Sequence, residues 1–159
     1  MGKSTLARDL ASLIDAIVLS TDKIRKELIS KPTYTKQERK SIYDILMLVA
    51  KYLHKAGINC ILDATFNTER SRKELKEKLS LIPEQICIVE CTCLESIVIS
   101  RLKQRKNDYS DADVSIYRKM KRNYEPVKGQ HIVADTSHQS SKQVAKEIAE
   151  QLLSKMRNR

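Results

Sequence analysis

The feature that most constrains the fold of this chain is a regular alternation of short apolar runs with longer amphipathic segments. The apolar runs predict strands at AIVLS (16–20), NCILDA (59–64), ICIVEC (86–91) and HIVAD (131–135). Their near-continuous apolar character indicates burial on both faces, which is typical of parallel strands covered by helices. The alternation therefore predicts an α/β fold, and on such sheets ligands bind beyond the carboxyl ends of the strands.

The segments between these runs have helical periodicity, and we expect helices at 4–13, 22–29, 68–80, about 94–106 and 112–124. Two further helices have capping signals. Thr35 with Glu38 opens one that ends at Gly57, and its predicted core face is Ile42, Ile45, Leu46, Val49, Ala50 and Leu53. Ser140 with Gln143 opens the last helix, with a predicted core face of Val144, Ile148, Leu152, Leu153 and Met156.

The first residues, Met1-Gly2-Lys3-Ser4-Thr5, match the second half of the phosphate-binding Walker A motif, GxxxxGK[ST], and lead directly into a helix. The N–H groups at a helix start are unpaired, and the helix dipole favours negative charge there. In this motif Gly2 lets phosphate approach closely and Lys3 reaches the β- and γ-phosphates. The Ser4 hydroxyl is the expected Mg²⁺ ligand, and Thr5 adds a donor to the phosphates.

A complete motif of this kind has a buried strand and a first glycine ahead of Gly2. We expect Met1 to be an internal residue of the full loop, because the missing strand would lie in the middle of the sheet. Without it, two neighbouring strands would lose ladder partners for their backbone groups. The alternative is a protein that lacks this strand. In-frame upstream codons that encode no apolar run and no glycine-rich turn would exclude the first interpretation.

Charged residues follow two of the predicted strands. Asp22 comes just after the first, where a carboxylate could take the proton of an attacking hydroxyl, and Arg25 lies one helical turn further on, where it could hold an anionic group of the acceptor. The alternative is that Asp22 only caps the short helix and Arg25 is solvated. Asp63 ends the run CILDA as a Walker B carboxylate does, and would hold Mg²⁺ or orient Arg25; otherwise it is a turn residue.

Arg101 and Arg105 lie four residues apart and therefore share one helix face. Arginines that close over a transferring phosphoryl group stabilise the negative charge that spreads over it. The alternative interpretation is a solvated basic face. These signals occur in the order expected for one alternating chain, and together they favour phosphoryl transfer more than any one of them does.

The net charge of +10 suits an anionic partner such as a nucleotide or nucleic acid, although a lysine-rich solvated surface gives the same balance. Few aromatics are available to stack on single-stranded nucleic acid, because the chain has one Phe, no Trp and six Tyr. The four cysteines sit in apolar runs and are expected to be free thiols rather than disulfides or metal ligands. With no export signal or membrane-length apolar stretch, we expect a cytoplasmic protein without a membrane partner.

Taken together, these pieces resemble the predicted small P-loop kinases related to polynucleotide 5′-hydroxyl kinase, zeta toxin and seryl-tRNA(Sec) kinase. The resemblance runs from Gly2 to about Leu153 and is carried by GKSTLA (2–7), STDKIRKEL (20–28), ILDATFN (61–67), RLKQR (101–105), SDADVSIYRKMKRNYEP (110–126) and ADTS (134–137). It implies a single P-loop NTPase domain over 1–159, with three layers and a helical lid at about 94–124. The implied parallel sheet has the order 2-3-1-4-5, with its first strand missing from this chain.

The resemblance also implies an activity: an ATP-dependent kinase that uses Mg²⁺ and transfers the γ-phosphate to a hydroxyl of a small molecule or to the 5′-end of a nucleic acid. No obligate protein partner is implied. The loop of such a kinase corresponds to Gly2, Lys3, Ser4 and Thr5, its base to Asp22 and its strand-end carboxylate to Asp63. Arg25 corresponds to the residue that grips the acceptor's anion, and the lid arginines to Arg101 and Arg105. The alternative function is a non-catalytic nucleotide- or nucleic-acid-binding module.

Overall fold

The computed structural model describes residues 2–104 and 111–157, with side chains in the last helix described as far as Ser154. The first half of the chain contains α1 (Lys3–Leu13), β1 (Ala16–Ser20), α2 (Thr21–Leu28), α3 (Lys36–Lys55) and β2 (Asn59–Asp63). The second half contains α4 (Glu69–Leu79), β3 (Val89–Thr92), α5 (Glu95–Gln104), α6 (Val114–Arg122), β4 (Ile132–Asp135) and α7 (Ser141–Arg157). The predicted alternation of strands and helices is confirmed.

The strands form two parallel pairs. β1 pairs with β2, with Ala16 opposite Asn59 and Ser20 opposite Asp63, and β3 pairs with β4, with Thr92 opposite Asp135. These are the two outer neighbour pairs of the predicted order 2-3-1-4-5. In the described ranges no strand lies between β2 and β3, so each of these strands has a ladder on one side only.

Helices cover both faces of β2, as its alternating contacts show. Cys60 and Leu62 pack against a cluster built by α3 and α4 around Leu46, whereas Ile61 packs against a second cluster centred on α1 and α7. Alternate side chains of a strand point to opposite faces, so β2 is the middle of three layers. The α/β fold with a parallel sheet is thus confirmed.

The cluster on α1 and α7 also joins the two strand pairs. Leu6 and Leu10 of α1 lie in it together with Ile132 of β4, and Ile61 of β2 and Val89 of β3 pack against it. Burying a leucine side chain of this kind contributes about 1.5–3 kcal/mol. The two pairs are therefore held in one core by helices rather than by a continuous hydrogen-bonded sheet.

Some expected details of the core were wrong. Val49 is exposed and Met47 is buried in its place, because the buried stripe of α3 runs through Leu46, Met47 and Ala50. Leu153 of α7 is 44% exposed, and the small side chains of Ala145 and Ala149 fill the core instead. The Met156 side chain lies outside the described part of the chain.

Strand β3 begins at Val89, three residues later than predicted, because its partner strand β4 begins at Ile132, which lies opposite Val89. Pro83–Gln85 form a single 3₁₀ turn closed by the Ile86 N–H on the Pro83 carbonyl. The four cysteines are free thiols, as predicted, although Cys87 is exposed. Within the described residues, none of the helices combines the length and apolar character needed to cross a bilayer.

Candidate phosphate and acceptor site

The start of α1 offers unsatisfied N–H donors. Gly2 is its N-cap with φ +65°, no side chain caps the first turn, and no acidic residue lies in that turn. A left-handed conformation at this position is one that glycine adopts without steric cost. The exposed donors and the positive end of the helix dipole make this turn a suitable place for phosphate.

Arg101 of α5 lies beside this turn. A β-carbon placed on Gly2 would lie 3.8 Å from Arg101 Nη1 and 3.9 Å from Thr136 Oγ1. Arg101 Nη2 donates to the Thr136 carbonyl over 2.9 Å, and Nη1 lies 3.3 Å from Thr136 Oγ1. The guanidinium is thus anchored next to the turn at Gly2, although Arg101 as a whole is an exposed residue. Arg105, the second predicted lid arginine, lies outside the described residues.

Sequence reasoning did not predict the contact of Thr136 with Arg101. It follows β4, it is buried, and its hydroxyl donates to the Thr92 carbonyl at the end of β3 over 3.2 Å. A threonine after a predicted strand reads as an ordinary turn residue, so the sequence carries no signal for this contact. The structure places it between Arg101 and the end of β3.

Asp63 and Lys3 bring opposite charges to the carboxyl end of β2. The Asp63 side chain is buried and makes no hydrogen bond or ion pair with any other described residue, and the same holds for the Lys3 ammonium. Both charges act on the thiol of Cys91 in β3: burial raises the pKa of Cys91, Lys3 lowers it, and Asp63 raises it further. Lys3 and Asp63 therefore both lie within electrostatic reach of Cys91.

Two oxygen-bearing side chains, those of Ser4 and Asp63, have the chemistry that a magnesium ion prefers. Mg²⁺ prefers oxygen ligands and is usually held by one or two protein groups, with water and substrate phosphates completing its shell. A buried carboxylate without a described partner at Asp63 and an exposed hydroxyl at Ser4 fit that pattern. No cluster of three or more His, Cys, Asp or Glu side chains occurs among the described residues, so an all-protein metal cage is not what this site offers.

Asp22 lies at the neighbouring strand end, because Ser20 at the end of β1 is directly opposite Asp63 at the end of β2. The N-cap of α2 is Ser20, whose hydroxyl accepts from the Lys23 N–H over 3.5 Å. Asp22 is therefore not the cap. Its side chain is 37% exposed, and Oδ1 accepts from Arg25 Nη1 over 3.0 Å. A partly exposed carboxylate held by one oxygen is available to a hydroxyl group.

Arg25 is buried, which the sequence did not reveal. Its side chain is 6% exposed, and Nε lies 3.0 Å from Glu38 Oε1, in the geometry of an ion pair rather than of an aligned hydrogen bond. The guanidinium also stacks on the ring of Tyr34, 4.8 Å from its centroid. Two carboxylates and an aromatic face therefore surround Arg25.

The turn before α3 fixes Glu38. The predicted cap is present, since Thr35 Oγ1 accepts from the Glu38 N–H over 3.2 Å. However, the Glu38 carboxylate reaches past Thr35 and accepts from the N–H groups of Thr33 and Tyr34, over 2.6 and 3.1 Å. Burial would raise the pKa of Glu38, but these hydrogen bonds and the charge of Arg25 outweigh it and hold that pKa below its ordinary value.

Asp111 connects the acceptor side to the residues before α6. One of its oxygens accepts from Lys26 Nζ over 2.8 Å, and the other accepts from the hydroxyl of Tyr34. Burial and the Asp111 carboxylate together raise the pKa of Tyr34 to about 12. The hydrogen bonds from Lys26 and Tyr34 hold the pKa of Asp111 below its ordinary value.

Arg72 of α4 holds the loop that follows Asp63. It is buried, and it donates to the carbonyls of Phe66, Glu125 and Pro126 over 2.9, 2.9 and 3.0 Å. These bonds fasten the loop after β2 to the segment that leads from α6 to β4. From sequence alone, an arginine in a strongly charged helix is expected to be solvated. The sequence therefore did not predict that Arg72 would be buried and bonded to these carbonyls.

Comparison with known proteins identifies relatives of this arrangement. A family model described as an AAA domain matches residues 1–127. Uncharacterized proteins of Mycobacterium tuberculosis and Mycobacterium bovis are 27% identical over 127 residues, which covers 72% of this chain. The chain spans about a quarter (26%) of the length of these curated relatives.

Solved structures share the fold at low sequence identity. A sugar kinase from Janibacter sp. superposes with a TM-score of 0.71 at 15% identity, covering 94% of this chain and 86% of that one. A gluconokinase from Sinorhizobium meliloti gives 0.69 at 16% identity, covering 99% and 88%. The APS kinase CysC of M. tuberculosis, solved with AMPPNP and APS, gives 0.67 at 18% identity, covering 96% and 91%. Because the family model covers most of the chain, the chain belongs to this AAA domain family, and it shares its fold with these solved kinases.

Proposed function

We propose that this chain is an ATP-dependent phosphotransferase that moves the γ-phosphate to a hydroxyl group of a small molecule. The observation that carries the proposal is the position of the Arg101 guanidinium beside the turn at Gly2, because it brings a cation close to uncapped helix donors. Such donors and cations are what phosphoryl transfer needs, since its catalysis consists mainly of positioning and charge stabilisation. An organisation as one domain over 1–159, with a helical lid at about 94–124, is part of the proposal.

The residues then have distinct roles. The N–H groups of the first turn, with Thr5, hold the phosphates, and Lys3 and Arg101 neutralise the charge that develops on the transferring group. Asp22 accepts the proton of the acceptor hydroxyl. Arg105 is the second predicted lid arginine in this proposal. Ser4 and Asp63 would hold Mg²⁺, which when bound neutralises phosphate charge and orients the phosphates for transfer.

A small-molecule hydroxyl is preferred over a nucleic-acid 5′-end as the acceptor. The chain offers few aromatic side chains for base stacking, and its solved neighbours include a sugar kinase and a gluconokinase. The excess of positive charge still makes nucleic acid the second candidate to test. A cytoplasmic location belongs to the same proposal, and cell fractionation would test it.

The direct test is transfer of labelled γ-phosphate from ATP to a panel of sugars, polyols, nucleosides and 5′-hydroxyl RNA and DNA. We expect product with at least one small hydroxyl compound, and binding of MgATP in calorimetry. MgATP binding without transfer to any panel member or to water would instead support a non-catalytic nucleotide-binding module. Transfer to the RNA or DNA alone would overturn the preference for a small molecule.

A further inference from the structure

We propose that Arg25 is a positioning residue for Asp22 and that the acceptor next to it is an uncharged polyhydroxyl compound rather than an anionic one. This inference rests on the proposed function and names the substrate class of the same site. It differs from the anion-gripping role that the family resemblance implies for Arg25, and it follows from what surrounds this side chain.

The guanidinium of Arg25 has little capacity left for a ligand. Nη1 donates to Asp22 Oδ1, Nε faces Glu38 Oε1, and one face lies on the Tyr34 ring. The carboxylates of Asp22 and Glu38 therefore both pair with the single positive charge of Arg25, whose side chain is almost fully buried. An acceptor phosphate or carboxylate would have to displace one of them, and a displaced buried carboxylate would lose the charge partner that compensates it.

Glu38 is not free to swing away and release Arg25. Its Oε2 accepts from the backbone N–H groups of Thr33 and Tyr34 and from the Thr33 hydroxyl over 2.8 Å. Tyr34 has φ +56°, an uncommon conformation for a residue with a side chain, and Glu38 is the group that stabilises this turn. The turn holds the Tyr34 ring over Arg25, so ring, carboxylate and guanidinium form one fixed unit.

The other cations near this corner are engaged as well. Lys26 pairs with Asp111 over 2.8 Å, and Arg39 Nε donates to the Tyr34 carbonyl over 2.8 Å on the exposed side of the turn. Asp22, Glu38 and Asp111 thus balance Arg25, Lys26 and Arg39 among the described residues. Among the residues that the structure describes, this cluster of six charges therefore adds no net positive charge beside Asp22.

Asp22 itself suits a hydroxyl donor. Oδ1 is held by Arg25, whereas Oδ2 has no hydrogen-bond partner within the described ranges, and the side chain is partly exposed. The charge-assisted hydrogen bond from Arg25 Nη1 restrains Oδ1 and leaves Oδ2 open to a hydroxyl donor. Arg25 would therefore act through Asp22, without touching the acceptor.

The first experiment needs neither a known acceptor nor a variant. Inorganic phosphate is titrated into the ¹⁵N-labelled chain, and the Arg25 Nε–H signal and the backbone amides of Lys3, Ser4 and Thr5 are followed by NMR. We expect saturable shifts at the three amides, which serve as the internal control, and no saturable shift at Arg25. A saturable response of Arg25 at millimolar phosphate would overturn the inference.

The second experiment compares acceptors in matched pairs, for example a hexose with its phosphate and with the corresponding sugar acid, or a nucleoside with its 3′-phosphate. We expect at least tenfold higher kcat/KM for the uncharged member of each pair that reacts. Preference for the anionic member would contradict the inference while leaving the kinase proposal intact. If no member reacts, the kinase proposal loses its support, and the phosphate titration still decides the role of Arg25.

Kinetics of Arg25→Lys separate positioning from binding. A positioning role predicts that kcat falls at least tenfold, whereas the KM values for acceptor and ATP change less than threefold, because the acceptor does not touch residue 25. Loss of an anion contact would instead raise the KM for the acceptor. Arg70→Gln on the surface of α4, where Arg70 is 88% exposed and pairs with Glu74, is the control and should leave kcat within twofold.

Discussion

The hydroxyl of Thr136 lies 3.3 Å from Arg101 Nη1 and 3.2 Å from the Thr92 carbonyl, to which it donates. One buried hydroxyl thus connects the guanidinium beside Gly2 to the end of β3. Removing it would free Arg101 from one of its two bonds to Thr136 while leaving the α1 turn intact.

For this reason we expect Thr136→Val to lower kcat/KM for ATP about tenfold, the loss expected for one hydrogen bond to a charged group. Thr136→Ser keeps the hydroxyl and should stay within about threefold of the parent chain. Steady-state kinetics and urea unfolding would be measured on both variants. A Thr136→Val chain that is less stable but fully active would show that the hydroxyl serves folding alone.

Lys3 tests the phosphate-binding turn. Lys3→Met keeps the length and apolar part of the side chain but removes its charge, so we expect MgATP affinity, measured by calorimetry, to fall at least tenfold. Lys51, exposed on α3, supplies the control, and Lys51→Met should bind MgATP as the parent does. Equal affinities of the two variants would remove Lys3 from the phosphate site.

A substitution of Asp22 tests its proposed role as the general base. Asp22→Asn should abolish measurable transfer, a loss of at least a hundredfold, because the amide cannot take the proton of the hydroxyl. ATP binding should be largely unchanged. Asp44→Asn on the surface of α3, where the carboxylate pairs with Lys40 and Lys78, is the matched control with near-parent activity. Undiminished turnover in Asp22→Asn would exclude the proposed role.

Arg72 and Arg70 give a matched pair two residues apart on α4. Arg72→Gln removes a buried side chain that donates to three carbonyls, and we expect the free energy of unfolding to drop by about 3 kcal/mol. Arg70 pairs with Glu74 on the surface and is 88% exposed, so Arg70→Gln should change stability by less than about 0.5 kcal/mol. Urea unfolding distinguishes these outcomes, and similar losses in both variants would show that the three hydrogen bonds of Arg72 do not stabilise the fold.

Stability at alkaline pH should depend on two tyrosines. Burial and the carboxylates of Asp111 and Glu90 raise the pKa values of Tyr34 and Tyr124 from the ordinary 10.0 to about 12. Because these pKa values are raised in the folded state, their contribution to stability is complete below pH 10 and is lost as the pH rises through 12.

The double variant Tyr34→Phe with Tyr124→Phe cannot titrate at these positions. We therefore expect its free energy of unfolding to lie below that of the parent at about pH 9 and the gap to close towards pH 12. Denaturant unfolding at steps of about one pH unit would measure the gap. A difference that stays constant over this range would show that ionisation of Tyr34 and Tyr124 does not contribute to the pH dependence of stability.

The strands and helices were predictable because each of them carries a local signal. AIVLS became β1 without a change of bounds, and the caps at Thr35 and Ser140 are present, with Ser140 and Gln143 bonded in both directions. Burial was harder, since Val49 and Met47 are both apolar and only the packing of α3 on α4 decides which of them faces inward.

The candidate site was predictable where its residues follow strands or open a helix, as Lys3, Asp22 and Asp63 do. Thr136, Glu38 and Arg72 were not, because their roles depend on partners distant in the chain. Glu38 was correctly predicted to be part of a helix cap. Nothing near it in the sequence indicates that its carboxylate also forms an ion pair with Arg25. Contacts of this kind are set by tertiary packing and leave no periodic pattern.

Helix α1 both starts at the phosphate-binding turn and carries Leu6 and Leu10, which join the two strand pairs in one core. A ligand that binds only the native turn stabilises the whole fold by mass action, by about 2.7 kcal/mol at a hundredfold excess over its Kd. If the proposed nucleotide site is occupied, nucleotide stabilises the fold as well as taking part in the reaction. The proposal then implies that a fall in cellular ATP would expose this chain to proteolysis, so that its abundance would follow the energy state of the cell.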